Sequence, residues 1–298
     1  MAVTRWAWLL LVPLSPISGQ RADTTSLDPQ QLEARFHYQT GHVVIGPGLA
    51  TLNLPPTFRY LDPKETEVVL TTWGNPPGNT TLGMLVPAGT SVFAPESWAV
   101  VIQYDEDGHV DDADAGSINY PKLLKDMQQQ TRDENKERAK AGYPAVELVG
   151  WAEPPRYDLV SHKLYWAKDL HFGSETVHTL NYNIRVLGRG GVLVLNAVAT
   201  MEQLQPVKTG MATVIGFVDF NEGNRYADFV AGRDKVAEYG IAALIAGGIA
   251  AKAGFFKVLL AGILALKKVL IIAVVAVGAW LKRLFGRRTT ETPQQPPQ

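Results

Sequence analysis

From Tyr239 to Leu281 the chain is apolar, and its only charges there are Lys252, Lys257, Lys267 and Lys268. As helices, Gly240–Leu266 would run about 40 Å and Val258–Leu281 about 36 Å, each longer than the roughly 30 Å of a bilayer's hydrocarbon core. Near the bilayer centre a lysine costs about 2.5–3.5 kcal/mol, and a Val, Ile or Leu gains about 0.3–0.6. The 14 such residues of Val258–Leu281 therefore offset its two lysines. A transmembrane anchor over 239–285 is expected, with the lysines snorkelling or facing a partner. The competing reading is a buried helical hairpin of a soluble protein. The first half is rich in Gly and Ala, which lets helices approach closely.

The N-terminus has the complementary pattern. Arg5 precedes the short apolar run Trp6–Val12, and Ser15, Ser18 and Gly19 follow. That is a signal peptide, residues 1–22, with cleavage expected near Gly19 or Ala22. One span then puts the basic tail (Lys282, Arg283, Arg287, Arg288) in the cytoplasm, as the positive-inside rule prefers, whereas a two-span hairpin puts it outside. Residues 286–298, basic and then rich in Pro and Gln, form a disordered tail.

The net charge of −1 hides an acidic body. Residues 22–251 hold 18 bases against 28 acids, a net of −10. Such a body carries no electrostatic footprint for nucleic acid. With no cysteine, the chain has no disulfide scaffold, thiol nucleophile or zinc-thiolate site. It also lacks a Gly-x-Ser-x-Gly elbow, a Ser-x-x-Lys pair, a His-Glu-x-x-His helix, a P-loop and a Gly-x-Gly-x-x-Gly turn after a strand. No cofactor is expected, and the six scattered histidines read as surface or turn residues.

Between the two ends, strands cluster without alternating βαβ units. Strands are expected at 43–45, 50–54, 58–61, 82–86, 98–104, 146–151, 163–170, 176–187, 191–199 and 214–220. Asp62-Pro63 starts a helix that runs to Trp73, with Asp as N-cap and Pro at the first position. A surface helix follows over 122–141, and another over 200–213. The fold class is α+β, a largely antiparallel sheet with packed helices. The expected organisation is a flexible lead (23–40), the folded domain (41–222), a stalk (223–238), the anchor and the tail.

Four constellations stand out. Asp105–Asp114 holds the metal candidates Asp105, Asp107, Asp111, Asp112 and Asp114. Its spacing is not that of an EF-hand, and the bland reading is a solvated loop. Trp73-Gly-Asn-Pro-Pro-Gly78 is a stiff turn presenting Trp73 and Asn75. In Gly150–Asp158, Trp151 and Glu153 are expected on one face, and Arg156 pairs with Glu153 or holds an anion. Pro154 and Pro155 withdraw two donors, so this stretch is an edge of the sheet or an exit from it. In Leu180–Gly191, Asn181, Asn183 and Arg185 share one face, which is either solvated or a binding surface, while Tyr182, Ile184 and Val186 face the core.

The last three motifs, in this order, resemble the bacterial family of membrane-anchored proteins termed domain of unknown function 2167. The likeness spans roughly residues 40–285. Leu82–Pro87, Asn135–Arg138, Arg225–Phe229 and the apolar C-terminal segment also carry it. It implies an exported domain on a C-terminal anchor, at the inner membrane of a Gram-negative bacterium, and supplies no catalytic residue.

The expected function is a periplasm-facing domain that binds an envelope partner protein or ligand. The binding candidates are Trp73, Asn75, Trp151, Glu153, Arg156, Asn183 and Arg185. Two alternatives are an envelope hydrolase using carboxylates such as Glu153 or Asp158, and a calcium-responsive sensor built on Asp105–Asp114.

Overall fold

A computed structural model describes residues 29–140 and 142–247. The expected signal peptide, the membrane segment beyond 247 and the tail lie outside the described residues. Among those described, no helix is long and apolar enough to cross a membrane.

Strands β1 (Gly41–Ile45), β2 (Ala50–Leu54) and β10 (Val218–Phe220) form a small antiparallel sheet in the order β1-β2-β10. The larger sheet contains β3 (Phe58–Leu61), β4 (Gly83–Pro87), β5 (Ala99–Asp105), β6 (Val146–Asp158), β7 (Lys163–Phe172), β8 (Thr179–Leu187) and β9 (Val192–Thr200). Its order is β3-β4-β5-β9-β8-β7-β6, and every pairing is antiparallel. The helices are α1 (Pro29–Glu33), α2 (Pro63–Thr72), α3 (Tyr120–Lys140), α4 (Leu204–Phe217) and α5 (Ile241–Ala246).

Apart from Asn196 and its last residue, Thr200, the central strand β9 is apolar on both sides because both sheet faces are covered. Leu193, Leu195 and Ala197 of β9 join Tyr182, Ile184 and Val186 of β8 beneath α4 and the small sheet. Val192 and Val194 point the other way, into a core closed by Met127 of α3 and by Ile241, Leu244 and Ile245 of α5. On that same face, nearer β3–β5, Val69 and Leu70 of α2 pack on Met84, Val86 and Val101. α2 begins as expected: the Asp62 carboxylate accepts from Glu65 N at 2.9 Å, with Pro63 in the first turn.

The double-proline strand β6 is an edge of the large sheet, as its missing donors require. Its pairing with β7 shifts register three times, between Leu148 and Gly150, Trp151 and Glu153, and Glu153 and Arg156. The second shift is a bulge at Ala152, and an extra residue reverses side-chain facing. Trp151 and Glu153 therefore lie on opposite faces, which corrects the expectation of a shared one. Trp151 packs into the α3/α5 core, and Glu153 turns toward α4.

Two segments differ from their expected looseness. The lead is built in from Pro29 onward: the Glu33 carboxylate accepts from Tyr38 Oη, Arg59 Nη2, Ser91 Oγ and Val92 N. Residues 223–246, expected as a stalk and the start of the anchor, form a strap bound to the domain. Ile241, Leu244 and Ile245 are 0–3% exposed.

Candidate functional site

Cross-strand register gathers the polar groups of the α3/α5 side into a grid. Directly paired residues share a face, so Trp151, Lys168, Asn181 and Val198 form one row. Trp166, Asn183, Asn196 and Val101 form the next. Leu164, Arg185, Val194 and Gln103 form the third. Asn183 and Arg185 are 3% and 9% exposed.

The hydrogen bonds on this grid run one way. Arg185 Nη1 donates to Ile184 O (2.9 Å) and Asn196 Oδ1 (3.2 Å), and Nη2 donates to Asn183 Oδ1 at 3.4 Å. Asn183 Nδ2 donates to Asn181 O and Oδ1, both at 2.9 Å. The guanidinium sits 5.0 Å from the centre of the Trp166 ring. Among the described residues, neither Lys168 nor Arg185 has a carboxylate oxygen within 4.0 Å. The indole N–H groups of Trp151 and Trp166 are buried and have no partner there either. Two donors on this face are thus left without acceptors among the described residues, and one acceptor there, Asp105 Oδ2, is left without a donor.

The electrostatics follow from burial. Desolvation lowers the Lys168 ammonium to about 8, with repulsion from Arg185 adding to it and Glu134 opposing it. Desolvation lowers the Arg185 guanidinium to about 10, against the pull of Asp105 and Tyr239. Desolvation raises the Asp105 carboxyl to about 7, and Arg185 only partly reverses that. Asp105 Oδ2 has no hydrogen-bond partner among the described residues.

Of the expected binding residues, the structure brings Trp151, Asn183 and Arg185 together. Glu153 lies on the other face, where Oε1 pairs with Lys208 Nζ at 3.0 Å and Oε2 accepts from Tyr182 Oη at 3.2 Å. Lys208 thus takes the place expected for Arg156, which is exposed on β6. Asp158 does not approach Glu153 as a catalytic partner; its carboxylate accepts from Val160 N and Ser161 Oγ in the β6–β7 turn. Trp73 and Asn75 end α2, where Asn75 donates through both N and Nδ2 to Leu70 O. They are helix-terminating residues, separate from the grid.

The five aspartates do not converge, and among the described residues no three His, Asp or Glu side chains are placed to hold a metal. Two of them hold the strap instead. Asp107 accepts from Tyr239 Oη at 2.9 Å, and Asp114 accepts from Ile241 N and Ala242 N. Asp112 accepts from Tyr157 Oη at 2.7 Å and lies 3.2 Å from His162 Nδ1. Asp111 caps its own turn through Ala113 N. His109 N donates to Lys235 O, and Ala237 N donates to His109 O. Gly108 permits this approach: at φ +108°, an added Cβ would lie 2.8 Å from Lys235 O.

A ring stack completes the clamp. His109 lies between Phe229 (4.0 Å) and Tyr226 (4.2 Å), and Tyr226 stacks in turn on His162 (3.9 Å). Burial lowers the pKa of His109, while the nearby Asp111 and Asp112 oppose that shift and His162 adds to it. A base whose folded pKa is depressed contributes stability above its unfolded value of about 6.5, and that stability is lost as pH falls through the folded value. His109→Phe keeps the stack and removes the proton site. Its melting temperature should fall less than the parent's between pH 7 and pH 5; parallel profiles would refute the assignment.

The residues missed from sequence carried a legible signal. Lys168 shares strand parity with the apolar Leu164 and Trp166, and Asn196 shares it with Val192 and Val194. A polar residue at a core parity is the informative kind. The histidine stack had no such signal, because its members come from three separate segments.

A family model described as Protein of unknown function (DUF2167) matches residues 37–278. The chain belongs to that family. No curated protein matches it. Solved structures similar to parts of it include the following two. The solution structure of cyanobacterial PsbP (CyanoP) from Synechocystis is 13% identical, covers 60% of this chain and 91% of its own, and has a TM-score of 0.33. LpqN of Mycobacterium tuberculosis, described as involved in cell envelope biogenesis, is 14% identical, covers 64% and 96%, and has a TM-score of 0.31.

Proposed function

We propose that this member of the DUF2167 family is a periplasm-facing binding domain, exported by its N-terminal signal and anchored in the inner membrane by its apolar C-terminal segment. It receives a partner protein or ligand of the envelope on the grid formed by β6–β9. The observation that carries this reading is the cluster of donor-rich polar side chains at core parity on the α3/α5 face of the sheet, with Asn183 and Arg185 buried and Lys168, Asn181 and Asn196 partly buried. Burying polar groups costs stability unless partners compensate, and here the Trp151 and Trp166 indole N–H groups find no acceptor among the described residues.

The membrane placement is supported by the signal pattern at 1–22, by the apolar Val258–Leu281 and by the basic residues after it. Because the strap packs through Ala246, the anchor in this reading begins beyond residue 247. A reporter active only in the periplasm, fused after residue 247, should be active; a stable but inactive fusion would refute export.

The binding face is tested in cells with the full-length protein. A photocrosslinking residue at position 181, on the grid, should yield a discrete adduct that the same residue at the exposed position 64 does not. No adduct from 181, or equal adducts from both, would overturn the reading.

A further inference from the structure

The grid has a definite chemical bias. Two cations, Lys168 and Arg185, stand on neighbouring strands and one face, and neither has a carboxylate oxygen within 4.0 Å among the described residues. The buried indole N–H groups of Trp151, paired across from Lys168, and of Trp166, paired across from Asn183, lack acceptors among the described residues. Asn181 and Asn196 are partly exposed and border the cations. The nearest balancing charges act at a distance: Glu134 of α3 on Lys168, and Asp105 of β5 on Arg185.

We propose that the Lys168–Arg185 pair, with the Trp151 and Trp166 indoles and the surrounding asparagines, is an oxyanion site. It takes a carboxylate or phosphate group of the envelope ligand or partner. Like charges drawn partly or wholly out of water, with carboxylates acting on them only from a distance, are costly. An oxyanion supplies the missing negative charge, and its lone pairs accept from a planar guanidinium, an ammonium and amide N–H groups together. Arg185 is held for this task by Asn183 and Asn196, whose amide oxygens orient the guanidinium without neutralising it. The ligand's source is a separate matter: a phosphate points to a lipid or polyanionic glycan headgroup, a carboxylate to a peptide or small acid.

This inference rests on the binding reading above and is tested apart from it. The full-length protein in detergent micelles is titrated with inorganic phosphate or succinate, and sodium chloride controls for ionic strength. One of the two oxyanions should raise the melting temperature saturably, by 3 °C or more at 10 mM, beyond the chloride control. Lys168→Gln should cut that rise at least by half and Lys168→Arg should restore most of it, while Lys64→Gln on α2 should leave it unchanged. A larger response to phosphate than to succinate, or the reverse, assigns the source. No shift beyond chloride, or a shift equal in Lys168→Gln and the parent, would overturn the oxyanion site. If position 181 still crosslinks in that case, the binding reading stands and only its chemical class falls; if position 181 is also silent, both fall.

Discussion

A fragment spanning residues 29–247 should unfold cooperatively, whereas one spanning 29–233 should not fold. The difference is the last part of the strap. Ile241, Leu244 and Ile245 are 0%, 3% and 1% exposed and close the core over Leu164, Leu187, Val192 and Val194. Burying an aliphatic side chain of this size contributes about 1.5–3 kcal/mol, so three contribute about 5–9 kcal/mol. Whole domains are stable by only about 5–15 kcal/mol. The shorter fragment also loses the Tyr239–Asp107 bond, the Asp114 carboxylate's bonds to α5 and the pairing of His109 with Lys235 and Ala237. Urea unfolding followed by tryptophan fluorescence is the measurement. Equal midpoints for the two fragments would show that the strap only decorates the surface.

The same residues explain where sequence reading succeeded and where it stopped. Period-two alternation located the strands, and Asp62-Pro63 located the start of α2, because both signals are local. The bulge at Ala152 is set by pairing with β7 rather than by composition, so the facing of Trp151 against Glu153 could not be read from β6 alone. The strap was misread for a related reason. An apolar helix suits a bilayer and a protein core equally, and Ile241, Leu244 and Ile245 carry no mark that separates the two. What separates them is the acidic loop more than 120 residues upstream, where Asp107 and Asp114 meet Tyr239, Ile241 and Ala242. Asp107 and Asp114 read in sequence as solvated or metal-binding carboxylates because their partners lie far along the chain. Asn183 and Arg185 were legible as one polar face, but whether that face was open or covered depended on α3 and α5.

Lys168→Met should make the unliganded protein more stable, the opposite of what removing a structural ion-pair residue does. Lys168 is partly buried, repelled by Arg185 and has no carboxylate within 4.0 Å among the described residues. Burial first, and Arg185 second, lower its ammonium from 10.5 to about 8. The sign follows from linkage. Below pH 8 the folded and unfolded chains both hold the proton, and the folded state carries the full cost of the charge. Between about pH 8 and 10.5 the folded state releases the proton first, so its relative stability rises with pH. A shift of that size corresponds to about 1–3 kcal/mol after allowance for the solvent that still reaches the side chain. Lys168→Met should therefore unfold at higher urea at pH 7, and its advantage over the parent should shrink by pH 9.5. Taking the difference between the two profiles removes the contribution of the buried tyrosines, whose raised pKa values act on both proteins alike. Natural chains hold such unfavourable groups where binding or catalysis uses them. A destabilised Lys168→Met at pH 7 would mean that the ammonium is satisfied within the chain, and the oxyanion site would lose its physical basis.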